Sequence, residues 1–181
     1  HSDQKAEYGE GFAIYPDHNL HMLLYAAAMD GQGAVAIQAG KDYAKRTSDS
    51  MYHVLTLIRF GRFDEVLEIT KRPERELPGA TWDFAHGYAY LRTQQPDFAR
   101  LYLARVQKTA ETAKAEFRGH SAKNLIGILA GILEGEIADT LRDDWGIQPR
   151  DVVALISGKP RDTRWRVPIK NRANCRKPSS S

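Results

Sequence analysis

The sequence predicts an all-helical chain in which antiparallel helix hairpins stack one on the next into a superhelical array. Apolar residues recur at spacings of three and four along most of the chain, and strand signals are nearly absent. Breaks in the pattern return at a near-constant interval, at Gly31, Gly61 and about Gln94, which are 30 and about 33 residues apart. Units of that size cannot bury an apolar face alone, so they bury it against one another and not around one central core.

Residues 19–29 form the first outgoing helix, because Leu20, Leu23, Leu24, Ala27 and Ala28 share one helical face. Pro16 and Asp17 precede it as start signals, Asp30-Gly31 ends it, and residues 34–44 return. In the second hairpin, Asp49 or Ser50 starts a run through Met51, Val54, Leu55 and Ile58. Gly61 breaks that run, and "RFDEVLEITKR" returns until Pro73 stops it. The third follows "LPGA", with residues 82–93 outgoing, the turn "TQQPD", and a longer return helix from Phe98 to about Arg118. Pro96 suits the first turn of that helix, where a missing N–H costs little. A fourth outgoing helix, "SAKNLIGILAGILEG", covers residues 121–135 with Ser121 as N-cap, and no clear partner follows it. The predicted domain is residues 1–141, with units at about 16–46, 47–78 and 79–118 and a partial one at 119–141.

Composition fits this organisation. The chain has 181 residues, 42% of them hydrophobic and 27% charged, enough for one domain or a short repeat array. The net charge of +3 is uneven: residues 1–141 carry 16 Lys/Arg against 19 Asp/Glu, residues 142–181 carry 10 against 4. After a short amphipathic run at 150–157, Pro, Arg, Lys and Ser dominate, and the tail reads as irregular or disordered. The single cysteine, Cys175, excludes an intramolecular disulfide framework and a cysteine zinc cluster. No stretch approaches the roughly 20 apolar residues of a membrane span, so no membrane insertion is expected. The chain starts at His1 without an initiator methionine, as a fragment or a processed form would, which leaves cytoplasm and periplasm both open.

Several stretches carry a family pattern. "GYAYLRTQQPDFARLYLARV" has Gly87 and Tyr90 as a Gly-x-x-Tyr on an outgoing helix and Ala99 as a small residue on the return helix. "DGQGAVAIQAG" and "FGRFDEVLEI" supply the turn glycine, with Ala36 in the small-residue position and Val66 departing from it. These residues resemble tetratricopeptide repeats. "YPDHNLHMLLYAAAMDGQ", "HVLTLIRFGRFDEVL" and "LPGATWDFAHGYAY" together resemble a bacterial group of such proteins with no defined biochemical role, over roughly residues 12–138. The resemblance implies a right-handed superhelix of hairpins that binds protein or peptide, without a reaction or a cofactor. It stops at about Thr140, where further units would be expected.

No enzyme signature emerges. His18 and His21 stand at i and i+3 on one face, but "HNLH" lacks both the i+4 spacing and the adjacent carboxylate of the zincin motif. A metal site would need His53 and His86 to converge on them, and a capping or groove-lining role is preferred. Ser48, Asp49, Ser50 and His53 crowd one helix start, which suits an N-cap cluster and not a nucleophile, base and orienter. The glycines form neither a phosphate loop nor GxGxxG. Glu65, Glu68, Glu74 and Glu76 read as a solvated face. In the tail, Arg161, Arg164, Arg166, Lys170, Arg172, Arg176 and Lys177 with Trp165 have the residue types of a single-strand nucleic-acid contact. The body offers no basic face to extend that footprint, so a solvated terminus is preferred.

What remains is the concave groove that outgoing helices would line. Aligning the units by their turns places His18, His21, Tyr25 and Met29 there, then Met51, Leu55 and Arg59, then Phe84, Tyr88 and Arg92. Aromatics, Met and Arg are enriched at interfaces because they bury large area while keeping a polar or adaptable end. Arg59 and Arg92 would anchor a carboxylate; Leu55 and Phe84 are equally readable as packing between units.

Overall fold

The computed structural model describes residues 14–145. Seven helices and one two-stranded hairpin follow in the order α1 (Ile14–Met29), α2 (Gly33–Thr47), α3 (Met51–Arg59), α4 (Phe63–Glu68), α5 (Glu76–Arg92), α6 (Pro96–Thr112), β1 (Glu116–Phe117), β2 (His120–Ser121) and α7 (Ala122–Trp145). None of the described helices is long and apolar enough to cross a membrane.

The helices pair as three hairpins, α1 with α2, α3 with α4 and α5 with α6, and each return helix also meets the next outgoing one. Outgoing helices lie against each other as well, α3 on α5 and α5 on α7. One turn design closes all three hairpins. Gly31, Gly61 and Gln94 each have a left-handed backbone, with φ of 77°, 69° and 61°. The N–H after each donates five residues back, Gln32 to Ala27 O, Arg62 to Leu57 O and Gln95 to Tyr90 O, at 2.8–2.9 Å, so carbonyls orphaned at the helix end are satisfied.

The buried apolar residues fall into three clusters. One cluster joins α3, α5, α6 and α7 through Met51, Phe84, Leu91, Leu103, Val106, Ile126, Leu133, Ile137 and others. A second sets Val54, Leu57 and Val66 against Trp82, Ala85 and Ala89. A third consists of Ala27, Ala28 and Ala36 against Phe60. Close approach explains the small residues: a Cβ on Gly87 would lie 2.7 Å from Leu133 Cδ2 and 3.0 Å from Tyr102 Cβ, so α6 and α7 press on α5 there. Val66 is fully buried where the pattern favours a smaller residue, because the alanines facing it on α5 leave room.

Several boundaries differ from the expected ones. Helix α5 starts at Glu76, so "LPGA" is helical: Pro78 lies in the first turn, where its missing N–H is harmless. Gly79 is required there because the Pro73 carbonyl would lie 2.7 Å from its Cβ. Helix α4 ends at Glu68, short of Pro73. The segment after it is held instead by tertiary bonds, Trp82 Nε1 donating to Ile69 O at 2.8 Å and Arg72 pairing with the buried Asp83. Helix α6 ends at Thr112, and the following residues turn into the β-hairpin. Helix α7 passes through Gly135 to Trp145, because the buried stripe of Ile126, Ala130, Leu133, Ile137 and Leu141 continues across it. The rest of the basic tail, Trp165 and its arginines included, lies outside the described residues.

Candidate partner-binding surface

The outgoing helices α1, α3 and α5 carry the ten residues assigned to the groove, and they divide into exposed, half-buried and core positions. Tyr25 and Met29 on α1 are 60% and 62% exposed, and His18 is exposed as well. Leu55 and Tyr88 are half-buried at the edge of the main core cluster. Met51 and Phe84 are each only 5% exposed and belong to that cluster, so they are core residues and not groove residues. On α3 the half-exposed face begins one residue later, at Tyr52, whereas α5 is buried at every residue from Leu77 to Gly87 and offers no exposed face at Phe84.

The two arginines assigned to a ligand carboxylate already have partners. Arg59 donates from Nε to the Ala28 carbonyl at 3.1 Å and approaches Met29 Sδ, tying α3 to the end of α1. Arg92 lies over the Tyr88 ring with its Cζ 5.0 Å from the centroid. It also donates to the Tyr88 hydroxyl and to Glu136 of α7, both at 2.8 Å. Bonding to Tyr88 first, and the Glu136 carboxylate in addition, holds the Arg92 guanidinium more firmly protonated than usual. Both side chains therefore brace helices.

The four histidines occupy separate environments. His86 is buried, stacked on Trp82 at 3.6 Å between ring centroids, with Nδ1 3.0 Å from the Trp82 carbonyl oxygen. His53 is half-buried beside Gly40, and His18 is exposed. Among the described residues no three His, Cys, Asp or Glu side chains come together to hold a metal ion. His21, His53 and His86 all have a pKa below the ordinary 6.5, in each case chiefly because burial disfavours the imidazolium. In the cluster at the start of α3, Asp49 Oδ1 accepts from the Met51 N–H at 2.9 Å while Oδ2 pairs with Arg75, which is a capping role. Glu76 is not a free surface carboxylate: its Oε2 accepts from the N–H groups of Lys114 and Ala115 at 3.0 and 2.8 Å.

Sequence reasoning missed an aromatic junction of three helices. The His21 ring (α1) lies 4.4 Å from Tyr52 (α3) and 5.8 Å from Tyr43 (α2), and the two tyrosines meet edge to face at 5.5 Å. Half-buried rings with one polar end suit a recognition surface. The β-hairpin links α6 to α7. Its base hangs from Glu76, and Phe117 packs against the core cluster that Tyr52 and Leu55 border. Arg118 at its tip has φ +50° and Gly119 φ +78°, a pair of left-handed residues that suits a tight two-residue hairpin turn. The charge of Arg118 is felt at both junction rings: after burial it is the next cause that lowers the His21 pKa, and it opposes the rise that burial imposes on Tyr52. The signal in the sequence was Arg118-Gly119 between two short extended pairs, hidden by helical periodicity that runs on into it.

No protein-family model matches the chain, and no curated protein or solved structure matches it either.

Proposed function

We propose that this chain is a non-enzymatic, tetratricopeptide-like scaffold that binds a peptide or protein segment along the face formed by α1, α3 and α5. The observation that carries the reading is the set of aromatic and apolar side chains on these helices that the core leaves wholly or partly exposed: Tyr25, which is exposed, and His21, Tyr52, Leu55 and Tyr88, which are half-buried. The shared left-handed turns and the packing of outgoing helix on outgoing helix support a repeat array with such a face. Right-handed superhelical stacking follows from the same reading.

Peptide-display selection on the purified chain tests it, with dissociation constants of the selected peptides measured by fluorescence anisotropy. Tyr25→Ala and Tyr88→Ala each remove an aromatic anchor, and a loss of about 2 kcal/mol, roughly thirtyfold, is expected for at least one. Selected peptides that bind both variants as tightly as the parent chain refute this surface.

A further inference from the structure

The outer face of α7 is apolar where the last helix of a stacked array needs a polar one. Among the described elements α7 packs chiefly on α6 and α5, and none of them covers its other side. There Ile128 and Ile132 are 59% and 46% exposed, with Gly127, Gly131 and Gly135 exposed around them. The exposed polar residues of the helix stand only at its two ends, Lys123 and Asn124 at one, Asp139 and Arg142 at the other.

Contacts within the chain do not account for the three glycines. A Cβ on any of them would meet nothing within 4 Å, unlike Gly87 of α5, where Leu133 and Tyr102 press at 2.7 and 3.0 Å. Glycine inside a helix is destabilising relative to alanine, so three of them at intervals of four weaken α7 without serving any described neighbour. What they do provide is a strip without side chains, beside two isoleucines, on which another helix can approach closely. Asn124, Ile128, Gly131, Gly135 and Ala138 follow the alternation of four and three residues that keeps one stripe turned toward a partner helix.

We infer that this partner is α7 of a second copy of the chain, packed antiparallel about a two-fold axis between Gly131 and Ile132. That axis sets Ile128 of each copy on Gly135 of the other, and Ile132 on Gly131, so every large side chain is seated where the facing helix has none. It also brings Lys123 and Asn124 of one copy to Asp139 of the other. Lys123 makes no ion pair among the described residues, and exposed Asp139 meets only Arg142 of its own helix, at 3.2 Å. A parallel pairing would instead set Lys123 on Lys123 and Asp139 on Asp139. A two-fold contact requires a patch that complements itself, and this one does so in side-chain size and in charge. From Asn124 to Asp139 the face runs about 22 Å, short for a specific interface, so a dimer with a micromolar Kd is expected.

Sedimentation equilibrium of the full chain, from low to high micromolar concentration, is expected to pass from monomer to dimer with no larger species. Ile128→Glu and Gly135→Leu each raise the Kd tenfold or more without loss of helicity, and Gly135→Leu also raises the Tm of the dilute monomer, because leucine is the better helix former. Lys123→Glu and Asp139→Lys each weaken the dimer, and the two together restore it. In a Cys175→Ser background, a mixture of the Asn124→Cys and Asp139→Cys chains oxidises to the mixed disulfide in preference to either symmetric one. A chain that stays monomeric at high micromolar concentration overturns the inference, and altered amide exchange at residues 146–181 in Ile128→Glu would then name the chain's own tail as the occupant. A mass that grows past the dimer, symmetric disulfides in preference to the mixed one, or a Kd unmoved by Ile128→Glu and Gly135→Leu overturns it as well.

Discussion

His86 shows what a single buried titratable side chain does in this fold. It is 3% exposed, stacked on Trp82, with its ring centroid 5.6 Å from that of Tyr102, and close to the Asp83 carboxylate, which bonds Arg72 and lies 3.8 Å from Arg105. Burial lowers its pKa below 6.5, and this outweighs the opposing pull of the Trp82 carbonyl, Asp83 and the Ile69 carbonyl. A group whose pKa is depressed in the folded chain binds fewer protons there than in the unfolded one near pH 6. The neutral imidazole therefore contributes stability that is fully present above about 6.5 and is lost as pH falls below it. His21 and His53 are shifted the same way and add to the slope. Urea midpoints are expected to fall between pH 7.5 and pH 5.5, and His86→Gln to flatten part of that fall. A midpoint that is constant or rises over this interval contradicts the assignment.

At the scale of elements, what was legible in the sequence was whatever repeats. Turns at Gly31 and Gly61 could be read because glycine marks a left-handed backbone, and the apolar faces of α3 and α7 because their period is helical; on α1 the period found Leu24, Ala27 and Ala28, but Leu23, expected on the same face, is 48% exposed. Hidden were features set by contacts distant in sequence. Helix α4 stops where Trp82 takes the Ile69 carbonyl, α5 runs through Pro78 because that residue falls in the first turn, and Met51 and Phe84 point inward because α7 packs on α5. Periodicity names a face without saying how far the neighbour covers it, so Tyr52 and Met51 could not be told apart. The third turn puts the same backbone under an unfavourable residue: Gln94, at φ 61°, is where the other two hairpins have glycine. The left-handed penalty of about 1–2 kcal/mol for a residue with a Cβ is removed by glycine, and the greater freedom of unfolded glycine takes back roughly half. Gln94→Gly is therefore expected to stabilise by about 0.5–1 kcal/mol, read as a rise in Tm of about 1–4 °C. A lower Tm would mean that the Gln94 side chain contributes more than its backbone conformation costs.

Across the whole molecule, stability follows the size of the side chains that each interface buries. Between α1 and α2 the buried apolar residues are Leu24 and the alanines Ala27, Ala28, Ala36 and Ala39, whereas α5, α6 and α7 bury Phe84, Leu91, Leu103, Val106, Ile126, Leu133, Ile137 and Leu141. Full burial of each large aliphatic or aromatic side chain contributes about 1.5–3 kcal/mol, and an alanine much less. In a chain whose hairpins mainly touch their neighbours, stability is close to a sum of unit and interface terms, so the α1–α2 end should open before the rest. Arg59 to Ala28 and Phe60 against Ala27, Ala28 and Ala36 are the ties that delay it. Amide hydrogen exchange followed by mass spectrometry should show residues 14–47 exchanging well before 76–142. Leu24→Ala should speed exchange only in the first segment, while Leu133→Ala, which removes a fully buried side chain of α7 that meets Gly87 of α5, should speed it in the second and in α3. Exchange of all helices in one step, equally hastened by either substitution, would mean that the hairpins form a single cooperative core and would remove the physical basis for treating them as stacked units.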